Sequence, residues 1–427
     1  MIRSIFVFLH RWVGMSMMGF LVLVGLTGSF LAFDDEIERF VAPRLYATPR
    51  PGAPRLDLAT LAEKVELLTP PHTRFVNVQM NAPDRAVANF MPDMPETLKD
   101  LQPGKVGLLT LLTLQLQLPA ATQIFIDPWT GNELGRRRYG VLSEGLVNLT
   151  PFIFQLHWTL APIAPFGIQI LGVVAVLWTI DCFVGFYLTL PVSVSGFWRK
   201  WKTAWTIKRG ASDYRLNFDL HRANGLWLWP ALFIFAWSGV LFNMKSVYQP
   251  VMKTLFDFHP STEMRSAMKS RSPKPHPSLD WRAAQAVGEK LLAEQAAKHG
   301  FAVIEPISLG YFETLGLYNY AVRSSRAVSS RGHDAKIQFD GDTGEFFSFE
   351  APSGEHRGDT ITSWLKALHT ASVFGLPYKI FVCALGLVIV MLSATGVYIW
   401  WKKRNARRFH KERDASTASA LEATVAD

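Results

Sequence analysis

Cysteine is scarce in this chain: two among 427 residues, Cys182 and Cys383, each inside a long apolar run. The segments outside those runs therefore cannot rely on disulfides, even in a compartment that would permit them. The same count excludes a Cys-x-x-Cys-His haem attachment and any iron–sulfur cluster held by cysteine. Glycine-rich dinucleotide and flavin fingerprints are missing too, so any electron donor is a separate molecule. No basic stripe interleaved with aromatics lies on a soluble helix. The net charge of +9, from 44 basic and 35 acidic residues, is thus read as membrane topology and not as nucleic-acid binding.

What the chain has is apolar length. Residues 12–33, 223–244 and 380–401 are uncharged runs of 22 residues each, and 165–190 is a fourth, interrupted only by Asp181. At ~1.5 Å per residue, 22 residues cross a hydrocarbon core of ~30 Å. The first run is longer than a secretory signal and "GSFLAFDDE" after it offers no A-x-A-like cleavage site, so it is retained as a helix. Arg3 and Arg11 flank the first run. Arg199, Lys200, Lys202, Lys208, Arg209, Arg215 and Arg222 precede the third, and "KKRNARRFHKER" follows the fourth. By the positive-inside rule all three clusters face the cytoplasm. The intervening loops exceed a hundred residues each, too long for simple connections, and are expected to fold on the other side.

The chain repeats itself. "LHRWVG" at Leu9 returns as "LHRANG" at Leu220, and "TGSF" returns as "SGVL", both 211 positions on. "IFIDPWTGNEL" is echoed by "IQFDGDTGEFF" with Asp127 and Asp340 213 apart, and "QLHWTL" by "ALHTAS" with His157 and His369 212 apart. Both halves begin in the cytoplasm, so they are parallel repeats, and equivalent residues share a depth. His10 and His221 fall at the cytoplasmic ends of spans one and three. His157 and His369 fall on the outer side, on segments leading into spans two and four.

Two depth-matched histidine pairs suit haem, because facing helices can deliver one imidazole to each axial position of the iron. Zinc would want three or four protein ligands, and neither pair has a third at suitable spacing. Gly14 and Gly225 follow His10 and His221 by four residues, on the same helical face, where a flat macrocycle can approach the backbone. The plainer alternative makes these glycines helix contacts, the histidines interfacial anchors and Arg11 a membrane flank. Asp181 is costly inside a span, and its repeat equivalent is Ser393. It either bonds a cytoplasmic-side histidine, takes up a proton on reduction, or is a neutral acid bonded to a neighbouring helix.

"LHRWVGMSMMGFLVLVGLTGSFLAFDDEIE", "IFIDPWTG" and "LHTASVFGLP…ATGVYIWWKKR" resemble the PepSY-associated transmembrane proteins, which include FoxB-like ferrisiderophore reductases. The resemblance spans nearly the whole chain, apart from the linker near "MKSRSPKPHPS" and the tail after His410. It implies an integral membrane α-helical core of four transmembrane helices with a parallel internal repeat, two b-type haems and two extracytoplasmic α+β PepSY-like domains. It carries over His10, His157, His221 and His369 as haem ligands. Arg11, Arg222, Gly14 and Gly225, adjacent to or one turn from the first histidine of each half, are read as cofactor-binding beside them. The expected divisions are helix one at 1–33, a first outer domain at 34–150, an interfacial helix and span two at 151–190, and a cytoplasmic loop at 191–222. Span three at 223–244, a second outer domain at 245–358, an interfacial helix and span four at 359–401, and a cytoplasmic tail at 402–427 complete them.

The implied activity is transmembrane electron transfer that reduces a periplasmic ferric siderophore to release iron(II), by a multi-pass protein of the bacterial inner membrane with both termini cytoplasmic. The donor is an unnamed cytoplasmic molecule or a quinol. Bis-histidine iron has no open site, which favours electron transfer over oxygen binding. Two rivals stay open: a haem carrier serving a quinone or copper pathway, and a membrane-anchored protein that binds a peptide or peptidase.

In the outer segments "LDLATLAEKVELL" and "SLDWRAAQAVGEKLLAEQAAKHG" have helical periodicity, the second stopping at Gly300. "RAVANFM", "QIFIDP", "YNYAVRS" and "AKIQFD" read as strands, and the Asp-x-x-Thr-Gly corners at Asp127 and Asp340 as hairpin turns. "PRPGAPR" and "STEMRSAMKSRSPKPHPS" read as linkers, and "DASTASALEATVAD" as a disordered tail.

Overall fold

The computed structural model describes residues 2–93, 120–161, 166–259, 271–332 and 335–426. The chain divides into two units: one of Met1–Ala32, Ile168–Tyr248 and Ile380–Asp427, the other of Phe33–Gly167 and Gln249–Lys379.

The first unit is helical. It holds α1 (Ile2–Leu31), most of α5 (Gly167–Thr189), the short α6 (Phe197–Lys202), α7 (Asp213–Trp227), α8 (Trp229–Asn243) and the length of α12 (Gly375–Ala426) beyond residue 379. Among the described residues, α1, α5 and 375–408 of α12 are each long and apolar enough to cross a membrane. The pair α7–α8 qualifies only when taken together, because it bends by 71° between them. The run read as span three, 223–244, thus holds a bend between two helices. Pro230 opens α8, and its ring cannot sit beneath the carbonyl of a continuing helix, so the chain breaks at Leu228. Alone, the 15 residues of α8 reach only about 22 Å. The expectation of a disordered tail is also overturned, since α12 continues to Ala426.

Small residues bring these helices together. A Cβ on Gly25 of α1 would lie 2.8 Å from the Gly386 carbonyl oxygen of α12, and the Ser29 hydroxyl donates to the Cys383 carbonyl at 2.8 Å. Such close backbone approach is how apolar helices associate where burial from water supplies little. Cys182, Leu232, Ala236, Leu385 and Ile389 form the packed centre, with Leu21 of α1 against it.

The second unit is built on strands. Where the sequence reading expects two outer domains, the described strands form one antiparallel sheet in the order β4-β3-β2-β1-β5-β6-β7-β8. β1 (Thr73–Ala82), β2 (Arg85–Pro92), β3 (Thr122–Ile126) and β4 (Glu133–Arg138) come from the first repeat. β5 (Val303–Phe312), β6 (Leu317–Ser324), β7 (Ala335–Asp340) and β8 (Phe346–Glu350) come from the second. The halves join where Asn77, Val78 and Gln79 pair with Gly310, Leu309 and Ser308. Gly310 permits this, as a Cβ there would sit 2.6 Å from that of Asn77. α3 (Leu58–Glu66) and α10 (Trp281–His299) cover one face, burying Leu61, Val65 and Leu292 against Ile124, Ile126, Ile337 and Phe339. Both begin on an aspartate cap, Asp57 accepting from Thr60 N–H and Asp280 from Ala283 N–H, and α10 ends on left-handed Gly300. The two Asp-x-x-Thr-Gly corners turn alike. Asp127 accepts from the backbone of Trp129 and Thr130, Asp340 from that of Asp342 and Thr343, and Gly131 and Gly344 take φ of 73° and 72°. Of the supposed linker at 261–278, residues 261–270 lie outside the described ones. The rest is fastened down, with Arg271 bonded to Asp340 and Lys274 to Asp342.

The opposite face of the first half buries charge. Glu38 of α2 (Asp34–Val41) lies 2.7 Å from Arg85 and 2.5 Å from Arg137, and all three side chains are under a tenth exposed. Phe125 and Tyr46 flank the guanidinium of Arg85. Burial alone would raise the Glu38 pKa, but the charges of Arg137 and Arg85 outweigh it and hold the carboxyl below its ordinary value. A depressed carboxylate contributes stability above its unfolded pKa of ~4.3 and loses it as pH falls through the folded value. Glu38→Gln strands two buried guanidiniums and should cost about 3–5 kcal/mol at neutral pH. It should also flatten the acid limb of the stability profile. Urea unfolding of the detergent-solubilised protein between pH 7 and pH 3 checks both outcomes, and an unchanged acid limb would exclude this role.

Candidate functional site

His10, in the third turn of α1, and His221, on α7, face each other in the helical unit. Their ring centroids are 6.0 Å apart with the planes at 66°. Each is fixed from behind. Nδ1 of His10 lies 2.9 and 3.0 Å from the two carboxylate oxygens of Asp181 on α5. Nδ1 of His221 lies 3.0 Å from the carbonyl oxygen of Leu392 and 3.1 Å from the Thr395 hydroxyl, both on α12. A carboxylate and a carbonyl only accept, so both rings carry their proton on Nδ1 and leave Nε2 as the unprotonated nitrogen. This is the arrangement that orients an imidazole toward a metal. The two supports differ in kind: the offset of 211 that also relates Gly185 to Gly396 makes Leu392, not the Ser393 of the sequence reading, the equivalent of Asp181, so a backbone carbonyl replaces the carboxylate in the second half.

Glycines surround the pair. A Cβ on Gly14 would meet nothing within 4 Å, and one on Gly225 only a Leu392 methyl at 4.0 Å. Both mark open space one turn from a histidine. Two further glycines escaped the sequence reading. A Cβ on Gly185 would lie 3.5 Å from Cε1 of His10, and one on Gly396 3.4 Å from Cε1 of His221. They too stand 211 apart, and "GFY" at Gly185 against "GVY" at Gly396 was the signal. Arg11 and Arg222 part company. Arg222 donates to the Thr203 carbonyl at 2.6 Å and to Asp219 at 2.8 Å, so its guanidinium ties the segment after α6 to α7. Arg11 is half-buried on α1.

The other pair lies in the sheet-bearing unit. His157, near the end of α4 (Leu149–Thr159), and His369, the last residue of α11 (Arg357–His369), have ring centroids 6.2 Å apart and planes at 65°. Leu160 and Ala371, 211 positions apart, both take left-handed backbone just past the histidines, with φ of 54° and 51°. Burial, followed by the neighbouring His157, pushes the His369 pKa down to about 3, which keeps that ring neutral, the form that ligates metal.

The separation is itself informative. Two imidazoles bound on opposite sides of one metal at ~2.0–2.1 Å per bond place their centroids roughly 6.3–6.5 Å apart, a little beyond the 6.0 and 6.2 Å of these pairs. Among the described residues no three His, Cys, Asp or Glu side chains converge on a metal position, so the donor set is two imidazoles per site. Two facing imidazoles with open space beside the helix backbone fit a planar macrocycle better than a tetrahedral ion.

The model of the family described as the PepSY-associated TM region matches residues 7–403. The chain belongs to that family. It is a multi-pass membrane protein, and the match takes in both halves of the repeat and all four histidines. No curated protein matches the chain.

Proposed function

We propose that the chain is a dihaem membrane oxidoreductase, with four spans counting α7–α8 as one, both termini cytoplasmic, and the sheet-bearing unit a fused pair of PepSY-like domains on the periplasmic side of a bacterial inner membrane. The observation that carries the reading is the matched geometry of the two pairs, 6.0 and 6.2 Å between centroids and 66° and 65° between planes. His10 and His221 would hold one b-type haem, His157 and His369 the other. Haem so bound supplies a one-electron carrier in each unit, and the activity that follows is reduction of a ferric siderophore to release iron(II), fed by a cytoplasmic or quinol donor.

The chain's own residues divide the remaining work. Asp181 and the Leu392 carbonyl hold the proton on Nδ1 of His10 and His221 and fix their rotation. Gly14, Gly225, Gly185 and Gly396 keep side chains out of the space beside the rings. Arg11 supplies a positive charge next to His10 for an acidic group on the cofactor. An oxygen-ligated iron(III) chelate loses affinity on becoming the softer iron(II), so reduction and release are one event. Pyridine haemochrome analysis of protein made with ample haem should give two non-covalent b-type haems per chain with low-spin spectra. Colourless protein under those conditions defeats the proposal.

A further inference from the structure

A third facing pair of imidazoles lies outside the four histidines. In the sheet-bearing unit, the chain after α9 (Lys245–Leu255) runs onto the start of α11, where the Gly358 N–H donates to the Asp257 carbonyl at 2.8 Å. The His259 N–H donates to the Asp359 carboxylate at 2.9 Å. A Cβ on Gly358 would lie 2.3 Å from the Phe258 ring, so only glycine lets the two segments close up. The outcome is that His259 and His356 face each other with centroids 5.8 Å apart and planes at 73°. Nδ1 of His356 is 3.1 Å from a carboxylate oxygen of Asp257. The carboxylate accepts, so His356 is protonated on Nδ1 and presents Nε2, the same tautomer and backing that Asp181 gives His10.

We infer that His259 and His356 form a weak, half-buried binding site for a divalent transition-metal ion of borderline softness, with fewer protein ligands than the three or four of a structural or catalytic zinc site and water completing the shell. Two imidazoles select zinc, copper, nickel or iron over magnesium or calcium, which want oxygen. Its rings are half-buried, as those of the other two pairs are, but the carboxylate behind it is open, Asp257 being 58% exposed against 13% for Asp181. With centroids 5.8 Å apart, bonds of ~2.0–2.1 Å would meet at a bent angle and leave positions for water. Two protein ligands and exchangeable water make a site that captures and gives up an ion, not one that holds the fold together. Nor is it a relic of the duplication, because between His10 and His157 the first half carries only His72. The inference stands apart from the haem proposal.

Calorimetric titration of untagged, full-length, detergent-purified protein with zinc(II) should show one site per chain in the micromolar range. Alanine at His259 or at His356 should weaken it by at least about tenfold, and Asp257→Asn by roughly 10–100-fold, as loss of a metal ligand's backing does. Visible haem spectra should not change in any of these variants, and His157→Ala should leave the zinc isotherm intact. Copper(II) bound to the wild-type protein should show electron paramagnetic coupling to two imidazole nitrogens, a readout that needs no variant to fold. Absence of zinc binding, isotherms unmoved by both alanines, or copper coupled to no nitrogen would each overturn the inference.

Discussion

Alanine in place of His10 or of His221 should lower the haem bound per chain from two to one, and the two variants should lose the same low-spin band. Alanine at His157 or His369 should remove the other band. The grouping follows from the rings that face each other: His10 with His221 across α1 and α7, His157 with His369 across α4 and α11. Each iron with two histidine ligands depends on both, since losing one opens a coordination position and abolishes the low-spin state. Asp181→Asn should be milder. It keeps the shape and an acceptor for Nδ1 of His10 but removes the charge, so it should retain both haems and shift the potential of one. Redox titration with optical detection, alongside haem stoichiometry, separates the cases. His10→Ala and His157→Ala removing one shared band, with the other untouched, would contradict the pairing.

The pairing of histidines was accessible from the repeat offset alone, because an offset near 211 ties chemistry to position before any contact is known. Local signals were equally readable: the Gly300 stop and the two Asp-x-x-Thr-Gly corners act within a few residues of themselves. Pro230 was in plain view, yet an unbroken hydropathy run hid the bend that it imposes, because hydropathy carries no backbone geometry. The joining of the two half-sheets was not legible. β1 and β5 each carry register shifts, at Phe75/Asn77 and at Val303/Glu305, and β5 contains Pro306, so neither shows clean alternation. Their pairing across more than two hundred residues is settled by the approach of Gly310 to Asn77, which no window on the sequence contains. Arg85 and Arg137 were similarly opaque. Charged residues inside strands read as solvent-facing until a distant Glu38 is brought between them.

The sharpest functional expectation concerns His157 and His369. Purified protein reduced chemically without oxygen should be reoxidised by a ferric siderophore, and a ferrous-specific chelator should then report the released iron(II). A gallium analogue of the same siderophore, which binds alike but accepts no electron, should leave the spectrum reduced. His157→Ala or His369→Ala should abolish this turnover, since the electron's exit is then lost while the ring pair at His10 and His221 remains. His10→Ala should spare the chemically primed reaction and stop one driven by a donor on the cytoplasmic side, a contrast that a general folding defect could not produce. Reoxidation by a quinone, with several chemically different ferric siderophores inert, would replace the reductase reading with the quinone pathway. The two histidine pairs would then serve a different acceptor, and the identity of that acceptor is what this experiment decides.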